Sequence, residues 1–130
     1  MQVSQKQVYS IGTSTVFSSN YNSFDEYNEY FLAASHANGT ASVRVCRVNS
    51  DGSISTGTQQ TFSMYNTATN SILVFMLSTT AGCVIYPNAS NYPEIRDIAI
   101  NTSTLSVTIG SASSLGTNAT FAGNNINVVS

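Results

Sequence analysis

The chain has 130 residues, enough for one domain with its own core, and 42% of them are hydrophobic, which excludes a chain disordered throughout. Only 8% are charged, about a third of the usual globular share, so Ser, Thr, Asn and Gln must supply the polar surface. The net charge is −2 with four basic residues, which gives no basic stripe for phosphates, and no apolar run is long enough for a membrane span. We therefore expect neither a nucleic-acid partner nor a membrane partner.

The N-terminal residues 1–8 are polar and are expected to form an arm or an edge strand, and they contain no apolar core of a signal peptide. If Met1 is the natural start, the protein is made in the reducing host cytoplasm without a cleaved signal. Cys46 and Cys83 are then expected to be buried free thiols, and a disulfide between them is the less favoured alternative.

Residues 9–17 are predicted to form the first strand, in which Gly12 indicates a bulge or a close approach of the backbone to another segment. The next segment, 18–29, has a different character. Its Ser23 and Glu26 have the spacing of a capping box, and its aromatic residues recur near helical spacing. This pattern predicts a single helical turn.

Residues 30–35 are predicted to form a buried strand. The pair Asn38-Gly39 then predicts a hairpin, because both central positions of such a turn need positive φ. The partner strand is expected at 41–48. A second turn at 49–52 leads into a further strand, predicted over 53–62.

The second half of the chain repeats this order of elements. Its strands are predicted at 72–77, 83–86, 95–100 and 107–115, followed by a tail at 117–130 that contains a last strand. Pro87 and Pro93 bracket a polar excursion at 88–92 that the first half lacks.

One motif occurs three times: a large or β-branched residue, Ser/Thr, a β-branched residue, Gly, Thr/Ser, three variable residues, then Phe or Leu. Its glycines are Gly12, Gly57 and Gly110, separated by 45 and 53 positions. Residues 43–48 also match 95–100 at a lag of 52, with Arg44 aligned to Arg96. Both copies break strict alternation at the same place, which indicates a shared bulge. Repetition at this scale is typical of a β unit laid down several times.

The sequences that define this unit best are Arg44-Val-Cys-Arg-Val48 and Ser53-Ile-Ser-Thr-Gly57 with Phe62, with further matches at 95–100 and 107–115. They resemble the blade-like repeats of β-propellers, notably those of bacteriophage tail-fibre and other virion surface proteins. Propellers close with roughly 4–8 blades. The resemblance therefore implies that one chain cannot close a ring and that several chains would complete it.

The fold predicted from these elements is all-β: a compact antiparallel sandwich or small barrel, built as a single domain over 9–116 from about two and a half repeated β units. The alternative is a propeller-like ring completed by oligomerisation. Repeated strands leave exposed edges in either arrangement. Because few charges protect those edges, we expect neighbouring subunits to cover them.

No cluster of residues indicates catalysis or metal binding. His36, the only histidine, is expected at a turn or on the surface, because nothing around it resembles a nucleophile elbow. The two cysteines lack the close spacing of a zinc site, and Asp51 lacks the further acids of a calcium loop, so a hairpin turn is expected there. We expect no cofactor, no metal and no enzymatic activity.

Two polar segments, 18–29 and 87–93, are the candidate contact surfaces. Tyrosine supplies contact area at low entropic cost together with a hydroxyl, and adjacent carboxylates in a polar loop favour an interface over paired acid–base catalysis. Tyr30 and Tyr86 are instead expected to be half-buried strand residues. The candidate binding or interface residues are Tyr21, Phe24, Asp25, Glu26, Tyr27, Glu29, Asn88, Asn91 and Tyr92.

These observations support three functions to different degrees. The first is a non-enzymatic virion structural or surface protein, either a capsid decoration protein or a fibre or tail module, whose partners are other copies of itself or another virion protein. The alternative is a carbohydrate-binding lectin assembled from repeated β units, with a glycan receptor as partner. A hydrolase, for instance a depolymerase fragment, has the least support because no catalytic constellation is present.

Overall fold

The computed structural model of the chain describes residues 22–66 and 72–117, and every regular element within them is a β-strand. The strands are β1 (Asn22–Tyr27), β2 (Tyr30–Ala37), β3 (Thr40–Val48), β4 (Ile54–Thr56), β5 (Gln60–Ser63), β6 (Leu73–Met76), β7 (Ala81–Pro87), β8 (Pro93–Asn101) and β9 (Ser106–Ser114). Strands β1 to β5 form sheet 1, and β6 to β9 form sheet 2. All pairings are antiparallel.

The all-β prediction is confirmed for the described residues, and the small-barrel alternative is wrong because their strands form two separate sheets rather than one closed sheet. Each sheet is a simple meander in which strands adjacent in sequence are neighbours, apart from β4 and β5, which both pair with β3. The predicted arm at 1–8, the predicted strand at 9–17 and the predicted last strand of the tail lie outside the described residues.

The predicted Asn38-Gly39 hairpin is confirmed. Asn38 has φ 52° and Gly39 has φ 78°, and they connect the paired residues Ala37 and Thr40. Positive φ at both central positions gives a turn whose twist matches that of the flanking strands. The polar excursion at 88–92 is likewise a turn, in which the Asn88 N–H donates to the Tyr92 carbonyl at 2.8 Å.

The helical turn predicted within 18–29 is wrong, because residues 22–27 form β1 instead. In this strand Ser23 and Asp25 alternate with the exposed Phe24 and Glu26, which is the period-two pattern of a strand. The capping-box spacing of Ser23 and Glu26 places them on opposite faces of that strand. Pairing with β2 and side-chain bonds to β6 therefore decide the conformation over the local signal.

The strand predicted over 53–62 is interrupted and forms β4 and β5. Between the pairs Cys46↔Thr56 and Val43↔Gln60 there are three residues on the motif side and two on β3. In β9 the strand is continuous but has a bulge, since Gly110 and Ser111 oppose Asp97 alone. Both motif strands thus carry one extra residue beginning at the motif glycine, so the shared irregularity lies on these strands rather than on their partners.

The pairing registers of the two sheets correspond. Each β3 residue matches the β8 residue 52 positions later, and its partner in β4 or β5 matches the β9 residue 53 positions later. The corresponding pairs are Val48↔Ile54 with Ile100↔Val107, Cys46↔Thr56 with Ile98↔Ile109, and Val43↔Gln60 with Ile95↔Ser113. The sequence repeat is therefore also a repeat of strand pairing within the described residues. The number of repeated units stays a prediction, because the motif copy at 9–17 lies outside them.

The described residues form one core, which lies between the two sheets. It is formed by alternate residues of the strands that face each other, and full burial of one such side chain contributes about 1.5–3 kcal/mol. The strand residues in this core are Leu32, Ala34, Ala41, Val43, Val45, Val74, Met76, Val84, Tyr86, Ile98, Ile100 and Val107. His36 is also buried, with 2% of its surface exposed.

The two sheets turn opposite faces of the repeated unit toward this core. The rows of paired residues that cross the sheets from the two aligned arginines are Arg44–Ala33–Phe24 in sheet 1 and Arg96–Val84–Val74 in sheet 2. The sheet 1 row alternates with the core residue Val43 and so faces away from the core, whereas Val84 and Val74 in the sheet 2 row belong to it. The front face of one repeated unit therefore packs against the back face of the other. We call this arrangement head-to-tail stacking.

Candidate functional site

The residues predicted as a contact surface in the first segment lie on and beside β1. Phe24, Glu26, Tyr27 and Glu29 are exposed, with 51% of Phe24 and 42% of Tyr27 accessible. Tyr21 lies outside the described residues. The exposed group thus combines two aromatic rings with two carboxylates at the edge of sheet 1 and in the β1–β2 turn.

Asp25 belongs to the same strand but has a contact inside the chain. Its Oδ2 accepts a hydrogen bond of 2.7 Å from the Met76 backbone N–H, and Ser23 Oγ accepts one of 3.0 Å from the Val74 N–H. Both N–H groups lie on the edge of β6 that has no strand partner in the described residues. Two β1 side chains therefore satisfy that edge and join the two sheets, without a neighbouring subunit.

The second predicted group, Asn88, Asn91 and Tyr92, lies in the turn between β7 and β8. Asn88 Oδ1 accepts hydrogen bonds from the Ser90 and Tyr92 N–H groups at 2.9 and 3.0 Å, which fixes the turn. Asn91 has φ 65°, and its Oδ1 is buried without a partner among the described residues. No hydrogen bond in residues 22–66 and 72–117 connects this turn with β1, so the two groups form separate surfaces.

His36 is not on the surface as predicted. It lies near the end of β2, on the face that packs against the core, because it alternates with Leu32 and Ala34 on that strand. Asp51 forms the expected hairpin turn, in which its Oδ1 accepts from the Ser53 N–H and hydroxyl at 2.9 and 2.6 Å. These two bonds lower the pKa of the Asp51 carboxyl.

The prediction of buried free thiols is confirmed for both cysteines. Burial raises the pKa of Cys46, and burial together with the nearby Asp97 carboxylate raises that of Cys83 to about 11. Both side chains are therefore unreactive thiols near neutral pH. In the described part of the chain, no group of three or more His, Cys, Asp or Glu side chains is placed to hold a metal ion. The same residues contain no helix that is long and apolar enough to cross a membrane.

A polar network that the sequence analysis missed lies at one end of the core, around Tyr86. The Tyr86 hydroxyl donates to Glu94 Oε2 at 2.7 Å and accepts from Arg96 Nε at 2.7 Å. Arg96 Nη1 donates to the Gly110 carbonyl at 3.0 Å. The guanidinium carbon lies 5.2 Å from the centroid of the Phe62 ring and 5.8 Å from that of Tyr86, within range of a cation–π interaction.

The network separates two opposite charges by one neutral phenol. Burial and the hydrogen bond to Glu94 raise the pKa of Tyr86 to about 12, so the phenol keeps its proton at any ordinary pH. Glu94 also accepts from Asn88 Nδ2 at 2.8 Å, which links the network to the β7–β8 turn. The Arg96 guanidinium is thereby fixed in position, although none of the described carboxylates contacts it directly.

Arg96 opens onto a groove of about 350 Å³ between the free edges of β5 and β9. The groove is lined by Gln60, Thr61, Phe62, Arg96, Val107, Thr108 and Ile109. These residues supply a cation, an amide, hydroxyls and an aromatic ring. Such a lining is suited to binding a polar ligand, and it contains no nucleophile paired with a base.

The sequence held one signal for this network, the alignment of Arg44 with Arg96. It did not distinguish the two arginines, which have different surroundings. Arg44 lies on the face of sheet 1 that points away from the core, and its Nη2 donates to Gln59 Oε1 at 2.9 Å. Arg96 lies on the core side of sheet 2. The head-to-tail stacking of the sheets is the cause of this difference.

Comparisons of the chain with protein-family models, with curated proteins and with solved structures found no significant match.

Proposed function

We propose that the protein is a non-enzymatic structural or surface component of a virus particle, either a capsid decoration protein or a fibre or tail module. It acts through protein–protein contacts, and the surface that makes them is the outer face of sheet 1. We define this face by residues on alternate positions of β1, β2 and β3, namely Phe24, Glu26, Phe31, Ala33, Arg44, Cys46 and Val48.

The observation that carries the proposal is the contrast between this face and its counterpart in sheet 2. Phe24 is 51% exposed and Val48 is 44% exposed, whereas the corresponding residues Val74 and Ile100 are 1% and 5% exposed because sheet 1 covers them. The outer face of sheet 1 is thus an equivalent surface that is open at Phe24 and Val48, while Ala33 and Cys46 on the same face are 6% and 0% exposed. Large apolar side chains exposed at such a place are typical of an interface.

The partner that fits this face best presents a sheet face similar to the inner face of sheet 1, which is the face that covers sheet 2. Another copy of the chain or another virion protein can supply it. If copies stack with the same head-to-tail geometry, a propeller-like ring of roughly 4–8 sheets would need about two to four chains. The low charge of the chain supports contacts of this kind, because they depend on apolar burial and hydrogen bonds and are little affected by salt.

The proposal is tested by measuring the mass of the purified chain by sedimentation and its recovery with virus particles. The test variant combines Phe24→Ser with Val48→Thr, and the matched control is Leu77→Ser, a residue that is 61% exposed and lies outside this face. We expect the wild type and Leu77→Ser to form closed oligomers or to be recovered with particles at fixed stoichiometry. The double variant should remain a free monomer. A wild type that stays monomeric and is never recovered with particles contradicts the proposal.

The second candidate function is carbohydrate binding, and the Arg96 groove is the observation that favours it. Its amide and hydroxyl groups suit sugar hydroxyls, and its apolar residues suit the carbon face of a sugar ring. A glycan array probed with the full chain is the direct test. Binding to no glycan, under conditions in which a known lectin binds, would remove this candidate.

A further inference from the structure

We infer that the Arg96 groove is a binding site for a carboxylated sugar, with Arg96 as the residue that recognises the carboxylate. This inference deepens the carbohydrate-binding candidate by naming the class of ligand. It does not depend on the outer face of sheet 1, which lies on the opposite side of that sheet from the core.

Arg96 has hydrogen-bond donors left for a ligand. A guanidinium has five N–H donors and is always charged in proteins. Its Nε is bonded to Tyr86 and its Nη1 to the Gly110 carbonyl, while Nη2 has no partner in residues 22–66 and 72–117. Nη2 is not enclosed by the protein, so an acceptor that enters the groove can bond to it. The two bonds already made hold the fork in one orientation.

The surrounding charge favours a monoanion. Glu94 carries one negative charge on the far side of the Tyr86 hydroxyl, so the local network is neutral overall. A carboxylate adds a single charge and matches the planar fork of a guanidinium. A phosphate brings nearly two charges and would be repelled more strongly by Glu94. The charge balance therefore favours a carboxylate over a phosphate.

The groove fits a small polar ring rather than a bare ion. Its volume of about 350 Å³ lies at the lower end of the range for small-molecule sites. Gln60, Thr61 and Thr108 supply polar side chains, and the strands that carry them, β5 and β9, each pair on one side only among the described strands. Their free backbone groups can bond to ring hydroxyls, while Phe62 and Ile109 provide apolar contact. Since the groove is open, the ring can be one residue of a longer acidic glycan.

The experiment is an NMR titration of the isotope-labelled full chain with four probes at matched ionic strength: D-glucuronate, D-glucose, acetate and inorganic phosphate. We expect glucuronate to shift the amide signals of residues 60–62 and 107–109 saturably. Glucose lacks the carboxylate and acetate lacks the ring, so each should bind at least about tenfold more weakly. Phosphate should also bind more weakly than glucuronate. Equal binding of glucose, equal binding of acetate, or tighter binding of phosphate would each overturn the inference.

Two variants test the assignment to Arg96. Arg96→Lys keeps the charge but loses the planar fork, and it should weaken glucuronate binding about tenfold. The matched control is Arg47→Lys, the same substitution at an arginine that bonds to Asn49 and does not line the groove. Gln60→Ala, at an exposed position of the groove, should weaken glucuronate binding severalfold and leaves the Tyr86 network intact. It therefore tests the location of the site if Arg96→Lys does not fold. A folded Arg96→Lys with unchanged affinity, or glucuronate-dependent shifts outside the groove, contradicts the inference.

The Phe24→Ser/Val48→Thr variant separates this inference from the proposed structural role. It should lose assembly and keep glucuronate binding, because its substitutions lie on the outer face of sheet 1. Loss of glucuronate binding in this variant, with its fold intact, contradicts a site confined to the groove.

Discussion

The two motif glycines Gly57 and Gly110 occupy corresponding positions in the two sheets but have different surroundings, so the same substitution should have different effects. A Cβ atom added at Gly57 would clash with the Leu105 carbonyl oxygen and would lie 2.6 Å from the Val45 carbonyl oxygen. At Gly110 the nearest atom would be the Asp97 carbonyl oxygen at 3.4 Å, an ordinary van der Waals distance. Only Gly57 is therefore required by close packing.

The cost of Gly57→Ala follows from what would have to move. Both neighbouring atoms belong to the backbone, one in β3 and one in the β8–β9 turn, and the Gly57 N–H also donates a 2.9 Å hydrogen bond to the Val45 carbonyl. Leu105 has φ 51°, and Asn101 Oδ1 fixes its turn by accepting from two backbone N–H groups. Overpacking typically costs 1–3 kcal/mol, so we expect about 3 kcal/mol or more here, where no side chain can yield. Gly110→Ala should change stability by less than about 1 kcal/mol.

The assay is equilibrium unfolding in urea, followed by circular dichroism. With a slope of about 1–3 kcal/mol per molar urea, the Gly57→Ala midpoint should fall by about 1–3 M, while that of Gly110→Ala should stay close to the wild type. Similar midpoints for the two variants would refute the close approach of the sheets at Leu105.

Three further predictions concern single side chains. Asp25→Ala leaves an edge N–H of β6 without its acceptor and should lower the free energy of unfolding by about 1–3 kcal/mol. The control, Glu26→Ala on the opposite face of β1, should change it by less than about 0.5 kcal/mol. Equal losses in urea unfolding contradict the inter-sheet role of Asp25. Cys46 and Cys83 should resist a thiol reagent at pH 8 in the folded chain and react after denaturation, and rapid labelling without denaturant contradicts their burial and raised pKa values. The stability advantage of the wild type over Tyr86→Phe should be complete below pH 10 and disappear as the pH rises to about 12, because the Tyr86 phenol ionises in the unfolded chain before it ionises in the folded one. An advantage that is independent of pH in alkaline urea titrations contradicts this.

Local backbone signals predicted much of the fold. Asn38 and Gly39 determine their hairpin because few other residues adopt positive φ at both positions. A bulge or a close approach was predicted at Gly12, which lies outside the described residues, and the two other motif glycines show such features: a bulge at Gly110 and a close approach at Gly57. The burial of both cysteines followed from the behaviour of free thiols.

Features of the fold that depend on which strand lies beside another could not be predicted from the sequence. Ser23 and Glu26 have the spacing of a helix capping box, and only pairing with β2 and the bonds of Ser23 and Asp25 to the β6 edge explain why this segment is a strand. The face that each sheet turns to the core was hidden for a similar reason. In β3 the residues on both faces are apolar, Val43 and Val45 on one and Cys46 on the other, so alternation does not identify the core side. Arg96 was missed as a site residue for this reason.

We propose that the outer face of sheet 1, open at Phe24 and Val48, is the equivalent of the face of sheet 2 that sheet 1 covers. Hydroxyl-radical footprinting of the free chain and of the assembled particle tests it most directly. We predict that oxidation of Phe24 falls severalfold on assembly while that of Leu77, exposed but off this face, is unchanged. Unchanged oxidation of Phe24 in the assembled state would contradict the claim.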